Sequence, residues 1–488
     1  MSKPNILILH VDEQRAESLR QYGNTQVITP NLDALAQEAE VYQNHFCSYP
    51  VCTPSRYSLF TGRYVSQHLG WSNHCTIPAG MSTFPKALKA AGYQTAAVGK
   101  MHMAPTYLDI GFDRMTLAEK DGPGRFDDDY HRDLMAHGLL DEIDLTDQRS
   151  EYRAYATQEY FHNFGTQVSD LPEAFHSTNW ITDRALEEVD RWKTDSSNLL
   201  FVGYIKPHHP FDPSERYLRM YDGMDITPLP GYTPEVPARD YQFSHGYFDN
   251  ADLSEETLRR VTRYYYASIT QIDDQIGRIL EKLKEKGLYD NTLIVYTSDH
   301  GDYMGFHHMM LKGNLMYDPV MRIPLMIKYP AGMGAESHQD GLSCNIQLAN
   351  HLLRCCGLPE DPAMNRHPLE LPREFVFSQN SCGPVKYYMV RSARYKLLLG
   401  GNPRKTLLFD LEHDPLELHD VSGERAYQSV VQDFRGALLE EFLFDGQTQV
   451  HLDEGAPLIS GHTHPAEEDR KVLQDYFRDS FSAFPDAH

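Results

Sequence analysis

Basic residues are scarce in this chain: 45 Lys and Arg stand against 69 Asp and Glu, a formal net charge of −24. That deficit argues against general nucleic-acid binding and against docking on an anionic membrane. An anionic ligand must be drawn in by a local cluster of cations or a metal, against the global field. Cysteine is sparse too, and the 7 present are odd in number and scattered, with Cys355 beside Cys356. They form no disulfide framework, so a reducing cytoplasm is the expected setting. Long apolar runs are missing. No stretch approaches the roughly 20 apolar residues of a membrane span. The first apolar run, Ile6 to Leu9, is too short for a secretory leader and reads as a buried strand. No internal repeat or low-complexity segment is present. What remains is an ordinary globular composition, 41% hydrophobic and 23% charged over 488 residues, enough for one large or two unequal domains.

Several apolar runs end in polar residues. Asn5 to Val11 ends in Asp12-Glu13, and Gln94 to Val98 ends in Gly99-Lys100-Met101-His102. Leu199 to Ile205 ends in Pro207-His208-His209-Pro210, and Thr292 to Tyr296 ends in Ser298-Asp299-His300-Gly301-Asp302. Helical patterns alternate with these runs: after Thr29-Pro30-Asn31, with Thr29 or Asn31 as cap, then over 85–91, 182–193 and 255–286, the last closed by Gly287. Strand, polar loop and helix in alternation predict an α/β fold with a large, mostly parallel sheet flanked by helices. Such sheets place ligands at the carboxyl ends of their strands. Further strands are expected over 41–46, 322–329 and 374–378, with a helix over 346–356. Two stretches, Ala104 to Ser177 and Pro213 to Leu253, carry weak patterns and read as an insertion and an irregular excursion. Beyond Gly383 the runs 386–390, 395–399 and 406–410 read as antiparallel strands, with a late helix over 430–444. The expected division is a catalytic domain over 1–380 and a smaller C-terminal α+β subdomain over 381–488.

Cys52-Thr53-Pro54-Ser55-Arg56, with Thr61-Gly62-Arg63 just beyond, is the stretch on which function turns. By itself Cys52 fits a small buried hydrophobe at a helix start. The run C-x-P-S-R followed by T-G-R resembles the type I sulfatases of the alkaline phosphatase-like superfamily. Asp12-Glu13, the Asp299-His300-Gly301 run and Leu408 to Pro415 extend the resemblance over nearly the whole chain.

The resemblance implies a sulfuric ester hydrolase that releases an alcohol and inorganic sulfate. It implies that a maturation enzyme oxidises Cys52 to formylglycine. One hydroxyl of the hydrated aldehyde then attacks sulfur, and the other later loses its proton to expel sulfate. It places Asp12, Glu13, residue 52, Asp299 and His300 around one divalent metal, with Ca²⁺ first and Mg²⁺ or Mn²⁺ as alternatives. Glu13 stands where many members have Asp and others Gln. By the same resemblance Arg56 holds the diol and neutralises sulfate oxygens, Lys100 and Lys312 contact sulfate, His102 contacts the diol, and His208 protonates the leaving oxygen. His209, His307 and His308 either line the pocket or face water. The Lys100-x-His102 pair and Ser55 point to sulfate esters rather than to the related phosphonate monoesters. A phosphonate monoester or phosphodiester hydrolase is the alternative activity, and an unmatured, catalytically silent anion-binding protein the alternative class. The partners expected are a small sulfated substrate and the maturation enzyme, with self-association left open.

Overall fold

A computed structural model describes residues 3–119, 128–141, 143, 157–241, 248–313, 315–333 and 340–445. Its centre is a seven-stranded sheet. In spatial order the strands are β2 (Glu40–Val41), β8 (Leu325–Lys328), β7 (Thr292–Ser298), β1 (Asn5–Asp12), β6 (Asn198–Pro207), β4 (Gln94–Gly99) and β5 (Arg114–Leu117). From β7 to β5 every pairing is parallel, and β8 and β2 close the other edge antiparallel. Strands buried on both faces read as near-continuous apolar runs, and β1 does so from Ile6 to Leu9 and at Val11, with His10 the polar exception inside it. Leu7, Leu9 and Val11 share one core with Ile181, Ala185 and Val189 of a helix over Ser177–Arg191 and with Ile269, Ile272 and Ile276 of a helix over Glu255–Glu285. Ile6 and Ile8 enter a second core, with Phe60, Leu88 and Leu352 on the opposite face.

Two expectations are corrected here. The helix over Pro30–Glu38 is not capped by the side chain of Thr29 or Asn31. The buried Asp273 carboxylate of the Glu255–Glu285 helix accepts from the Asn31 and Leu32 N–H groups at 3.1 and 2.7 Å. The insertion over Ala104–Ser177 is in part sheet, because it supplies the edge strand β5. A four-residue strand that opens on an arginine is too short to show a period. Residues 120–127, 142 and 144–156 of that insertion, 242–247 of the excursion and 446–488 lie outside the described residues.

A separate sheet pairs β10 (Val376–Cys382), β11 (Val385–Arg391), β12 (Tyr395–Gly400) and β13 (Lys405–Asp410) antiparallel in that order. The strand expected over 374–378 is therefore the first of this sheet. A helix over Gln428–Glu440 covers it through Val431 and Phe434. The third, small pairing joins β3 (Asn44–Phe46) to β9 (Leu342–Cys344).

Asp318 ties the connection between β7 and β8 to the second sheet. Its carboxylate lies 2.8 Å from Lys396 Nζ and 3.2 Å from Arg391, and its N–H donates to Glu417. Burial pushes this carboxyl up, but Arg391 and Lys396 outweigh burial and hold it below its ordinary value. A depressed carboxyl stabilises the fold above its unfolded value and loses that contribution as pH falls through its folded value. Asp318→Asn is therefore expected to cost about 3 kcal/mol at neutral pH, with the gap to wild type closing below about pH 4. Urea denaturation at pH 7 and at pH 3.5 checks both halves.

Candidate active site

Four neighbouring strands of the large sheet, β7, β1, β6 and β4, deliver polar side chains to one edge. Asp12 ends β1, Lys100 and His102 follow β4, His208 and His209 follow β6, and Asp299 and His300 follow β7. Close approach of β4 and β6 depends on glycine. A Cβ on Gly99 would lie 2.1 Å from the Gly203 carbonyl, and one on Gly203 would lie 2.1 Å from the Lys100 carbonyl. Into the centre of this edge a helix over Cys52–Thr61 points its first turn.

The sequence motif explains itself in these contacts. Cys52 is 1% exposed, and its sulfur lies 3.3 Å from His300 Nε2 and 3.7 Å from Asp12 Oδ1. Thr53 Oγ1 donates to the His102 carbonyl at 2.7 Å, and Thr53 N donates to Asn73 Oδ1. Ser55 Oγ donates to the Asp299 carbonyl at 2.6 Å. Arg56 donates from Nε to Asp299 at 3.0 Å, from one terminal nitrogen to Asp12 at 2.8 Å and from the other to the Lys100 carbonyl at 2.7 Å. Gly62 ends the helix at φ 61°, and Arg63 binds the Thr61 and Ser82 carbonyls behind it. The first half of the motif builds the site, and the T-G-R half anchors the helix that carries it.

Asp12 also receives Lys100 Nζ at 2.6 Å, with both side chains fully buried. Burial and the neighbouring Asp299 push the Asp12 carboxyl up, yet Lys100, Arg56 and Lys312 outweigh them and leave it lowered. Burial pushes Asp299 up as well, and His300, Arg56 and Lys100 reverse the sign. Both carboxylates are thus held ionised. Ligand atoms of Asp12, Cys52, Asp299 and His300 all lie within 4.8 Å of one another. His300 Nδ1 sits 2.9 Å from the Gly301 carbonyl, which fixes the tautomer and leaves Nε2 for the cluster. Two ionised carboxylates, an imidazole and a small residue at position 52 fit a single divalent cation.

Glu13 does not join them. Its backbone takes φ 61°, a left-handed turn that costs a non-glycine residue strain and is common at functional sites. The turn sends its side chain to a second group, 3.0 Å from both His208 Nε2 and Lys312 Nζ and 3.5 Å from His209 Nδ1. Burial pushes the Glu13 carboxyl up, but His208 and Lys312 hold it well below its ordinary value. Lys312 is raised well above its ordinary value; burial lowers it, and Cys52, Glu13 and Asp12 more than compensate. Lys206 pairs with Asp212 and donates to the Pro210 carbonyl at 2.8 Å, closing the loop that holds both histidines.

Three more readings change. Arg56, expected on the diol and sulfate, spends its donors on Asp12, Asp299 and the Lys100 carbonyl. His307 and His308 neither line the pocket nor face water. His307 is held by Asp240 and the Leu416 carbonyl, and His308 by the carbonyls of Thr233 and Asn250. They pin the 213–253 excursion to the loop after β7. Asn73 and Glu119, which touch the loops around Cys52 and His102, carry no motif and were not legible. Asp302, in the SDHGD run, is fully buried, and burial and the nearby Glu13 push its carboxyl up to about 8.

Comparison with known proteins gives the family. A family profile described as Sulfatase matches residues 4–358. An arylsulfatase of Clostridium perfringens is 27% identical over 94% of this chain and 98% of its own. Iduronate 2-sulfatase of Mus musculus is 30% identical over 88% of this chain and 93% of its own. Among solved structures, the phosphonate monoester hydrolase of Agrobacterium radiobacter superposes with a TM-score of 0.74 at 22% identity, covering 94% of this chain and 99% of that one. With the family match spanning most of the chain, and with Cys52, two ionised carboxylates and His300 gathered at the strand ends, the protein belongs to the sulfatase family of the alkaline phosphatase-like superfamily and is a sulfuric ester hydrolase.

Proposed function

We propose that the protein hydrolyses a small sulfate ester with formylglycine, made from Cys52, as nucleophile and one divalent cation held by Asp12, Asp299, His300 and residue 52. The observation that carries this reading is the packing of Cys52 against Asp12 and His300 with Lys312 and His208 across from them. When present, the cation would draw charge from the sulfate oxygens while formylglycine supplies the attacking oxygen. The chain's own residues do the rest. Arg56 and Lys100 keep Asp12 oriented and ionised, and Arg56 does the same for Asp299. Lys100, His102 and Lys312 border the place where sulfate and diol must lie. His208 Nε2 supplies a proton to the departing oxygen as the S–O bond breaks and its electron pair leaves with the alcohol. Water completes the balance, giving alcohol and sulfate.

Ca²⁺ is the first choice of metal because most donors are oxygens, and the imidazole of His300 is the feature that favours Mn²⁺. The likeness to a phosphonate monoester hydrolase supports a second reading, cleavage of phosphonate monoesters or phosphodiesters on the same scaffold. Lys100 and His102 favour sulfate over it. The enzyme that oxidises Cys52 is the partner this chemistry requires. Scattered cysteines, free of disulfides, support a cytoplasmic setting and small substrates.

The test compares turnover of an aryl sulfate and an aryl phosphonate monoester by protein matured in the presence of a formylglycine-generating enzyme. Sulfate turnover is expected to exceed phosphonate turnover, to fall at least about 100-fold on chelation, and to return with Ca²⁺ or Mn²⁺. Calorimetric titration of those ions into Asp299→Asn is expected to show weakened binding. Faster phosphonate turnover would transfer the assignment to the second reading.

A further inference from the structure

The loop that carries Lys100 and His102 is fastened through its backbone. Lys100 N–H donates to the Gly203 carbonyl at 2.6 Å, and the Lys100 carbonyl accepts from Arg56 at 2.7 Å. The His102 carbonyl accepts from Thr53 Oγ1 at 2.7 Å, and Ala104 N–H donates to Tyr57 Oη at 3.1 Å. Two further N–H groups, of Met101 and His102, converge on one carboxyl. Glu119 Oε1 lies 3.1 Å from Met101 N and 2.9 Å from His102 N, and Oε2 lies 3.1 Å from His102 N.

His102 takes φ 56°. Successive N–H groups around a left-handed residue form a concave nest for an acceptor, and here the acceptor is a carboxyl of the protein, which burial pushes up to about 8 against the pull of those N–H groups. Glu119 is 2% exposed and sits two residues past β5. Its own N–H donates to Asp128 Oδ2 at 2.5 Å, and both Asp128 oxygens lie within 2.8 Å of His131 Nδ1. A chain of contacts therefore runs from His131 through Asp128 and Glu119 to the backbone of His102. Burying a carboxyl is costly unless it is bonded, and here the bonds come from the Met101 and His102 N–H groups.

We propose that Glu119 is a positioning residue for catalysis: by gripping the Met101 and His102 N–H groups it holds Lys100 and His102 at the reacting sulfate. The inference rests on the roles given to those two residues above. Misplacing a catalytic group by about 1 Å costs on the order of 100-fold, so loss of the grip reads out in turnover.

In matured enzyme, Glu119→Ala is expected to lower kcat for an aryl sulfate about 10–100-fold and to weaken inhibition by inorganic sulfate. Binding of Ca²⁺ or Mn²⁺, titrated calorimetrically, is expected to be unchanged. Glu119→Gln keeps a carbonyl acceptor and is expected to recover most of the loss. Glu119→Asp keeps the carboxyl but retracts it by one methylene, and is expected to behave like the alanine variant, which covers the case where alanine fails to fold. The decisive arm is a cycle with His102→Ala. If Glu119 acts through His102, the second substitution adds little to the first; independent, multiplicative losses would overturn the inference. So would wild-type kcat in Glu119→Asp. Failure of the wild type itself to turn over sulfate would instead strike the proposed function.

Discussion

Cys52→Ala is expected to lower sulfate release by at least about 10⁴-fold while leaving the fold intact. The substitution removes one sulfur from a site already crowded by His300 Nε2 at 3.3 Å and Asp12 Oδ1 at 3.7 Å. It disturbs neither the Arg56 contacts nor the helix, whose first turn is held by Thr53 and Ser55. If Cys52 were only packing, alanine would cost a small cavity and no activity. Sulfate turnover against a thermal melt separates the two. Mass spectrometry of the peptide carrying Cys52 adds an independent check, because formylglycine is lighter than cysteine. Cys52→Ser sharpens the chemistry. A serine hydroxyl can attack sulfur once but has no second hydroxyl to expel sulfate, so the variant is expected to stall as a sulfated protein. Full activity in Cys52→Ala would place the nucleophile elsewhere. An unmodified Cys52 together with an inactive wild type would favour the silent anion-binding protein.

The sheet and the edge that carries the site were legible for a physical reason, whereas the metal set came from the family resemblance. A strand buried on both faces is apolar over most of its length, so polar residues at the end of an apolar run mark the edge where a site is built. Asp12, Lys100, His208 and Asp299 each announced themselves in that way. What sequence could not show was direction. Asp12 and Glu13 are adjacent, and only the left-handed turn at Glu13 sends one to Cys52 and the other to His208 and Lys312. Arg56 looked like an anion binder because guanidinium suits sulfate, but the same fork suits two carboxylates, and these are already within reach. Glu119 was hidden because the strand before it is four residues long and its partners are backbone N–H groups, which leave no trace in side-chain pattern. His307 and His308 form no motif with Asp240, Thr233 or Asn250, all far away in sequence, so their structural role had no local signal.

The second large effect concerns His208. Its Nδ1 lies 2.7 Å from the His209 carbonyl, so that nitrogen carries a proton and Nε2 is the one that can exchange with substrate. Nε2 lies 2.8 Å from Lys312 Nζ and 3.0 Å from Glu13 Oε2. Protonated on both nitrogens, His208 donates from Nε2 to Glu13 and has a proton to give, and the neighbouring Lys312 ammonium is the second candidate for the proton given to the leaving alcohol. They are separable by leaving group. An acidic phenol departs without help, whereas an alkoxide does not. His208→Ala is therefore expected to lower kcat/KM for an alkyl sulfate by about 10²–10⁴-fold and for 4-nitrophenyl sulfate by less than about 10-fold. Lys312→Ala removes a cation beside the sulfate and is expected to slow both substrates by similar factors. A reversal of these two patterns would make Lys312 the acid and leave His208 to orient it. The geometry favours the first outcome. Lys312 is paired at 3.0 Å with the buried Glu13 carboxylate, which makes it a poor source of protons and a durable source of charge.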